Sequence, residues 1–192
     1  MLRRLYDWTL SFAGGKRAPA ALGTVSFVES SFFPIPPDLL LIPMVVSRRE
    51  KAWWYALLCT ITSVLGGVLG YFIGAVLFTQ VAEPILNLYG YMNKFDEFKV
   101  IFDDWGWWFV FFAGLTPFPY KVITIASGAF ALNMPVFFVA SLVSRGIRFF
   151  VVAGLLYFFG PPIRDFIEKR LGLVFTVFVI LLVGGFALIK FL

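Results

Sequence analysis

The chain has 192 residues, of which 60% are hydrophobic and only 14% are charged, and its formal net charge is +5. A soluble domain is about half apolar and about a quarter charged, so this composition excludes an ordinary soluble protein and favours a membrane protein. The chain has no histidine and a single cysteine, Cys59, which excludes histidine-dependent chemistry, the usual zinc sites and an internal disulfide.

The first predicted element is an amphipathic N-terminal segment over residues 1–19, whose basic start MLRRLYDWTLSF is typical of a helix at a membrane interface. Apolar blocks follow, each reaching the ~20 residues that a membrane-spanning helix needs. They are Ala20–Val46, Ala52–Thr79, Trp105–Leu132, Pro135–Phe159 and Leu171–Leu192. The sequence therefore predicts an all-α polytopic membrane protein, with a membrane domain over 20–160 and a cytoplasmic loop and final transmembrane helix over 161–192.

A proline-rich motif that ends in a charge occurs twice, in the first and third apolar blocks. The copies are FFPIPPD, which ends in Asp38, and LTPFPYK, which ends in Lys121. Each copy breaks a continuous helix, because proline lacks the N–H donor that a helix needs. The freed carbonyl groups are tolerated at membrane depth only where they face protein or a wet cavity, so a hydrated pocket is expected at the breaks. The prolines that break the helices are Pro34, Pro36, Pro37, Pro117 and Pro119.

Basic residues are concentrated before the first block and in the loop that follows it, and basic loops remain in the cytoplasm. Both stretches can do so only if the first block, about 20–46, enters the membrane and returns as a re-entrant hairpin. A helix over about 52–79 then crosses to an acid-rich loop, Gln80–Asp104. A second hairpin, about 105–132, enters from that side before a helix over about 135–159 crosses back. Hairpin and helix thus occur twice in opposite orientation, an inverted repeat that places the N-terminus in the cytoplasm and the C-terminus outside.

The motifs resemble those of the DedA family, membrane proteins with a so-called VTT or SNARE-associated domain. The matching segments are Glu29 ahead of FFPIPPD, SVLGGVLGYFIG at Ser63–Gly74, and FAGLTPFPYKVITIASG at Phe112–Gly128, the last being similar to a YqaA-like branch. The resemblance covers roughly residues 20–160. It implies two facing re-entrant hairpins, movement of undecaprenyl phosphate or phospholipids between leaflets, and proton coupling through acidic residues. This chain has Gly67 where the family commonly has an acid.

Five charged residues inside the apolar blocks form the candidate pathway for substrate and protons: Glu29, Asp38, Lys121, Arg145 and Arg148. Charges are costly in hydrocarbon, so embedded ones are rare and usually functional. Their sum, −2 plus +3, is +1, which favours an anionic head group over a metal ion. Arg145 and Arg148 share one helix face and could grip a phosphate. Two pairings stay open: Asp38 with Lys121, or both arginines with Glu29 and Asp38.

A stripe of small residues, Gly66, Gly70 and Gly74, is expected to pack a helix against a hairpin or a second subunit. The leading interpretation is an inner-membrane flippase or scramblase for anionic phospholipid or polyprenyl phosphate, without enzymatic activity, metal or cofactor. Membrane lipids are the expected partners and nucleic acid is not, while protons and a second copy of the chain stay open. The alternatives are a proton- or ion-coupled carrier of a small solute, a membrane scaffold, and an enzyme acting on lipid phosphates.

Overall fold

A computed structural model describes residues 17–32, 36–116 and 118–160, and the regular structure in these ranges is helical throughout. The α-helices are α1 (Ala18–Ser31), α2 (Asp38–Ser47), α3 (Ala52–Leu77), α4 (Glu83–Tyr89), α5 (Met92–Leu115), α6 (Tyr120–Ala129) and α7 (Met134–Gly160). The predicted all-α class is confirmed. Pro34, Pro117, almost all of the N-terminal segment 1–19, and the loop and helix predicted over 161–192 lie outside the described residues.

The helix around α3 is longer than the sequence suggests. A 3-10 turn at Arg49–Lys51 precedes α3, and a π turn at Phe78–Ala82 joins it to α4, so the chain stays helical over Arg49–Tyr89. The left-handed residue Gly90, with φ 69°, then ends the run. The predicted loop Gln80–Asp104 is therefore wrong, because α4 and the first half of α5 occupy it. Its charged residues make that stretch polar without preventing a helix.

Two helical stretches are long and apolar enough to cross a membrane: Arg49–Tyr89, with a mean hydropathy of 2.0, and Met134–Gly160, with 1.8. Only 33% and 39% of their most apolar portions are buried, whereas the core helix of a soluble protein would be mostly buried. The exposed side chains are large and apolar, as at Leu57, Ile61 and Leu65 along α3. Such surfaces fit the hydrocarbon of a bilayer.

The two copies of the proline motif occupy equivalent places in the fold. Pro37 directly precedes α2 and Pro119 directly precedes α6, and each of these helices has 10 residues. Asp38 is the first residue of α2 and Lys121 is the second of α6. The chain is extended at Thr116, where α5 ends. Each copy thus lies where one helix ends and a short helix begins.

Helix α3 lies between α1 and α6 and approaches both at glycines. A Cβ atom at Gly66 would overlap the carbonyl oxygen of Phe27 on α1, and one at Gly74 would overlap that of Ile125 on α6. Gly70, between them, faces both neighbouring helices. The glycine stripe therefore lies at contacts where one helix backbone touches the next, which only the smallest residue permits.

Candidate functional site

Arg145 on α7 is buried at the centre of the charged cluster, with 1% of its side chain exposed. Its Nη2 atom donates to Oε2 of Glu29 at 3.1 Å, and its Nε atom donates to Oγ of Ser63 at 2.6 Å. The guanidinium carbon lies 4.8 Å from the ring centre of Tyr120 and 4.7 Å from that of Phe149. Aromatic faces attract a cation most strongly where water is excluded. Arg145 is therefore held on several sides and joins α7 to α1, α3 and α6.

Arg148, one turn further along α7, forms the second ion pair. Its Nη2 atom donates to Oδ2 of Asp38 at 2.6 Å, and its Nη1 atom donates to the carbonyl oxygen of Thr116 at 3.0 Å. This pair is less buried than the first, with 17% of Arg148 and 23% of Asp38 exposed. The other carboxylate oxygen of Asp38, Oδ1, is buried and has no hydrogen-bond partner among the described residues. Arg148 thus links the start of α2 to the end of α5.

Small hydroxyl side chains line the contact of α1 and α6 with α3, and we call them the hydroxyl seam: Ser26, Ser30, Ser31, Ser63 and Thr124. The hydroxyls of Ser30 and Ser63 lie 2.7 Å apart, and Ser31 donates to the carbonyl oxygen of Gly66 at 2.9 Å. Thr124 on α6 donates to the carbonyl oxygen of Ser30 at 3.2 Å. The seam contacts the Arg145–Glu29 pair on one side, through Ser30 at Glu29 and Ser63 at Arg145, so a polar layer lies inside an apolar bundle. The sequence analysis missed it, although the spacing of Ser26 and Ser30 by four places both on one face of α1.

The structure brings four of the five predicted pathway residues together as two ion pairs, Glu29 with Arg145 and Asp38 with Arg148. Of the two pairings that the sequence leaves open, the structure thus shows both ion pairs of the arginine network. Lys121 lies on α6, half-buried, directly after the tyrosine that packs against Arg145. As a cation in the first turn of a helix it faces the positive end of the helix dipole, an unfavourable place unless other interactions compensate.

Two buried hydroxyl groups near the pairs, on Tyr120 and Ser141, are neighbours, and neither makes a hydrogen bond of normal geometry with the described residues. A Cβ atom at Gly67 would lie 3.1 Å from the Tyr120 hydroxyl oxygen. The missing side chain at position 67 therefore leaves room for the phenol. In this chain a tyrosine hydroxyl occupies the space beside the position where the resemblance leads us to expect an acid. Sequence reasoning missed this role of Tyr120, although the residue belongs to the second proline motif.

The VTT domain pattern matches residues 35–158, a stretch that contains Asp38, Lys121 and both arginines of α7. The chain belongs to the DedA family of VTT-domain membrane proteins. The match extends over more than half of the chain, and it confirms the resemblance that the proline motifs indicate. The apolar, exposed faces of α3 and α7 agree with this family of membrane proteins.

Relatives of this DedA-family protein are similar over 65% to 97% of its length. An uncharacterized protein of Haemophilus influenzae is 36% identical over 186 residues, which cover 97% of this chain and 96% of that protein. An uncharacterized protein of Histophilus somni is 32% identical over 168 residues, covering 85% and 87%. One of Methanocaldococcus jannaschii is 28% identical over 130 residues, covering 65% and 74%. No solved structure matches the chain significantly.

Chemically, the site offers guanidinium donors beside carboxylates. Guanidinium groups match the oxygens of carboxylates and phosphates in size and direction, so an anion and a carboxylate can exchange places on them. Within the described ranges, no group of three or more acidic or cysteine side chains is arranged to hold a metal ion. The arrangement is suited to binding an oxyanion reversibly.

Proposed function

We propose that this DedA-family protein is an inner-membrane lipid transporter, a flippase or scramblase, which moves anionic phospholipid or polyprenyl phosphate between leaflets and supports envelope homeostasis. The observation that carries the proposal is the pair of arginines on one face of α7. Arg145 binds the carboxylate of Glu29 on α1, and Arg148 binds that of Asp38 on α2. A phosphate head group presents the same kind of oxygens as these carboxylates. The head group would pass along the polar layer while its tails stay against the exposed apolar faces of the helices.

The proposal includes an inverted repeat in which α1 with α2, and α5 with α6, are two re-entrant hairpins. Helix lengths support it for three of the four arms, because α5 has 24 residues, whereas α1 has 14 and α2 and α6 have 10 each. At 1.5 Å per residue these three arms measure about 21 Å and about 15 Å, short of the ~30 Å hydrocarbon core of a bilayer. The equivalent placement of the two proline motifs supports the repeat, and the contacts of Arg148 with Asp38 and Thr116 bring the two breaks close to each other.

We place the protein in the bacterial plasma membrane with its N-terminus in the cytoplasm and its C-terminus outside. The basic turn Arg49–Lys51 begins the long helical stretch that contains α3, and basic ends face the cytoplasm. Arg49 donates a hydrogen bond to the carbonyl oxygen of Tyr157 near the end of α7, so the start of one span and the end of the other lie on the same side. Membrane lipids are the proposed partners, together with protons and a second copy of the chain. The proposal assigns the protein no chemical step.

Reconstitution in liposomes tests the proposal. Fluorescent phosphatidylglycerol and a labelled polyprenyl phosphate are placed in both leaflets, and the fraction of label that an impermeant quencher reaches is followed over time. We expect exchange above that of protein-free vesicles, lost in Arg148→Gln and kept in Lys51→Gln, a matched loss of an exposed cation. Exchange of neither lipid above background would refute the proposal. Uptake of a small solute by those same vesicles would then favour the carrier alternative.

A further inference from the structure

We infer that Arg148 is a latch that holds the two helix breaks together, and that an anionic head group opens it by taking the place of Asp38 on the guanidinium. The inference rests on the proposed transport of an anionic lipid. It gives the two arginines different roles, with Arg145 as a fixed positioning residue and Arg148 as the residue that contacts the lipid phosphate.

The latch is one side chain that contacts both breaks. One terminal nitrogen of Arg148 binds the carboxylate of Asp38, the first residue of α2, and the other binds the carbonyl oxygen of Thr116, where α5 ends. These residues flank the two copies of the proline motif. Because the same guanidinium makes both contacts, turning it toward a new partner releases the start of α2 and the end of α5 in a single movement.

Burial distinguishes the two arginines. Arg145 is 1% exposed and is held by a carboxylate, a serine hydroxyl and two aromatic rings. Arg148 is 17% exposed, and the partners that the described residues give it are one carboxylate and one carbonyl group. A head group arriving from the lipid can reach Arg148 without first displacing Arg145. Arg148 uses both terminal nitrogens in the closed state, so a phosphate that binds them in parallel replaces both contacts.

The closed latch is incompletely satisfied, which makes the exchange feasible. Oδ1 of Asp38 is buried without a hydrogen-bond partner among the described residues. A buried oxygen without a partner loses its hydration and gains nothing in return, which destabilises the closed state relative to an open one in which the carboxylate is solvated. A phosphate also restores a negative charge beside Arg148, so the guanidinium is never left without a counter-charge.

Binding measurements on the full-length protein in detergent test the latch. Isothermal titration with a short-chain phosphatidylglycerol is carried out on the wild type, Asp38→Asn, Arg148→Gln and the matched control Glu50→Gln, in which an exposed carboxylate is neutralised. Asp38→Asn removes the competing charge, so we expect binding about five- to tenfold tighter, the lower range of typical coupling between sites. Arg148→Gln is expected to weaken binding at least about tenfold, and the control to match the wild type. Inorganic phosphate is expected to compete with the lipid, and failure to compete would overturn phosphate recognition by Arg148.

A distance measurement reports the opening itself and does not depend on the stability of the Asp38→Asn variant. Spin labels are attached through Leu39→Cys and Leu115→Cys, two exposed positions beside the breaks, in a Cys59→Ser background. We expect the distance between the labels to increase when phosphatidylglycerol is added, and Asp38→Asn to show the longer distance without lipid. A wild type that binds lipid while this distance stays unchanged, or an Asp38→Asn variant that binds no more tightly, would overturn the latch and leave lipid transport standing. A wild type that neither binds nor exchanges lipid would overturn both.

Discussion

Replacing Glu29 by glutamine removes the counter-charge of the most buried cation in the site. The carboxylate oxygen of Glu29 lies 3.1 Å from Nη2 of Arg145, whose side chain is 1% exposed. At this distance and an effective dielectric constant of about 20, the Coulomb energy of the pair is about 5 kcal/mol. Removing one partner of a buried pair typically costs about 3–5 kcal/mol. Glutamine keeps the shape and one acceptor oxygen, and Ser63 and the rings remain, so we expect a loss near the lower value, about 3 kcal/mol.

The loss is measured as the free energy of unfolding of the purified protein in mixed micelles, titrated with a denaturing detergent. Glu50→Gln is the matched control, because Glu50 is an exposed acid and its neutralisation should change stability by less than about 0.5 kcal/mol. The double variant Glu29→Gln with Arg145→Met should recover part of the loss, since it leaves no unpaired buried charge. If Glu29→Gln unfolds like the control, the buried pair does not hold α1 to α7 and the reasoning fails.

Two further changes test the packing around the site. Gly66→Ala places a Cβ atom against the carbonyl oxygen of Phe27 and should lower the free energy of unfolding by about 1–3 kcal/mol through overpacking. In Gly146→Ala on α7, the new Cβ atom would lie at an ordinary 3.8 Å from its nearest neighbour. This variant should be neutral or stabilising by up to about 1 kcal/mol, because alanine favours the helix. Equal losses of stability in both variants would contradict the backbone contact between Gly66 and Phe27. Tyr120→Phe removes a buried hydroxyl that lies beside Ser141 and makes no hydrogen bond of normal geometry with the described residues. It keeps the ring beside the arginine, so stability should stay equal or rise. A loss above about 1 kcal/mol in the same titration would show that Ser141 or a buried water satisfies this hydroxyl.

The family, the helical class and the membrane character could be read from the sequence, because each is carried by local patterns: proline motifs, apolar runs and rare embedded charges. The ion-pair partner of Asp38 could not be predicted from the sequence. Comparing the two motif copies suggests Lys121, since it is the equivalent residue of opposite charge, but pairing depends on which face of α7 turns toward the breaks. That rotation is set by packing of whole helices and is not encoded near Asp38. The structure pairs this carboxylate with Arg148.

The hydroxyl seam and the extended helix were missed for different physical reasons. A serine in an apolar helix is informative only when its acceptor on a neighbouring helix is known, as with Ser26 and the carbonyl oxygen of Cys59, 2.9 Å away. Hydropathy predicts a loop over Gln80–Asp104 because it measures polarity. Helicity depends on backbone hydrogen bonds and side-chain preferences, and charged residues such as glutamate and lysine satisfy both.

The glycine contacts determine which parts of the protein could move during the proposed transport. Side chains adjust by changing rotamers, but α1, α3 and α6 also meet backbone to backbone, at Gly66 with Phe27 and at Gly128 with Tyr71. Surfaces joined in this way cannot slide without separating completely. These three helices therefore form a rigid frame that contains Glu29 and the hydroxyl seam. Arg145 and the buried core hold α7 against this frame. Arg148 ties α7 to the two breaks through one long side chain, so relative movement is concentrated at the breaks, and the length of that side chain limits how far the proposed path for a head group can widen.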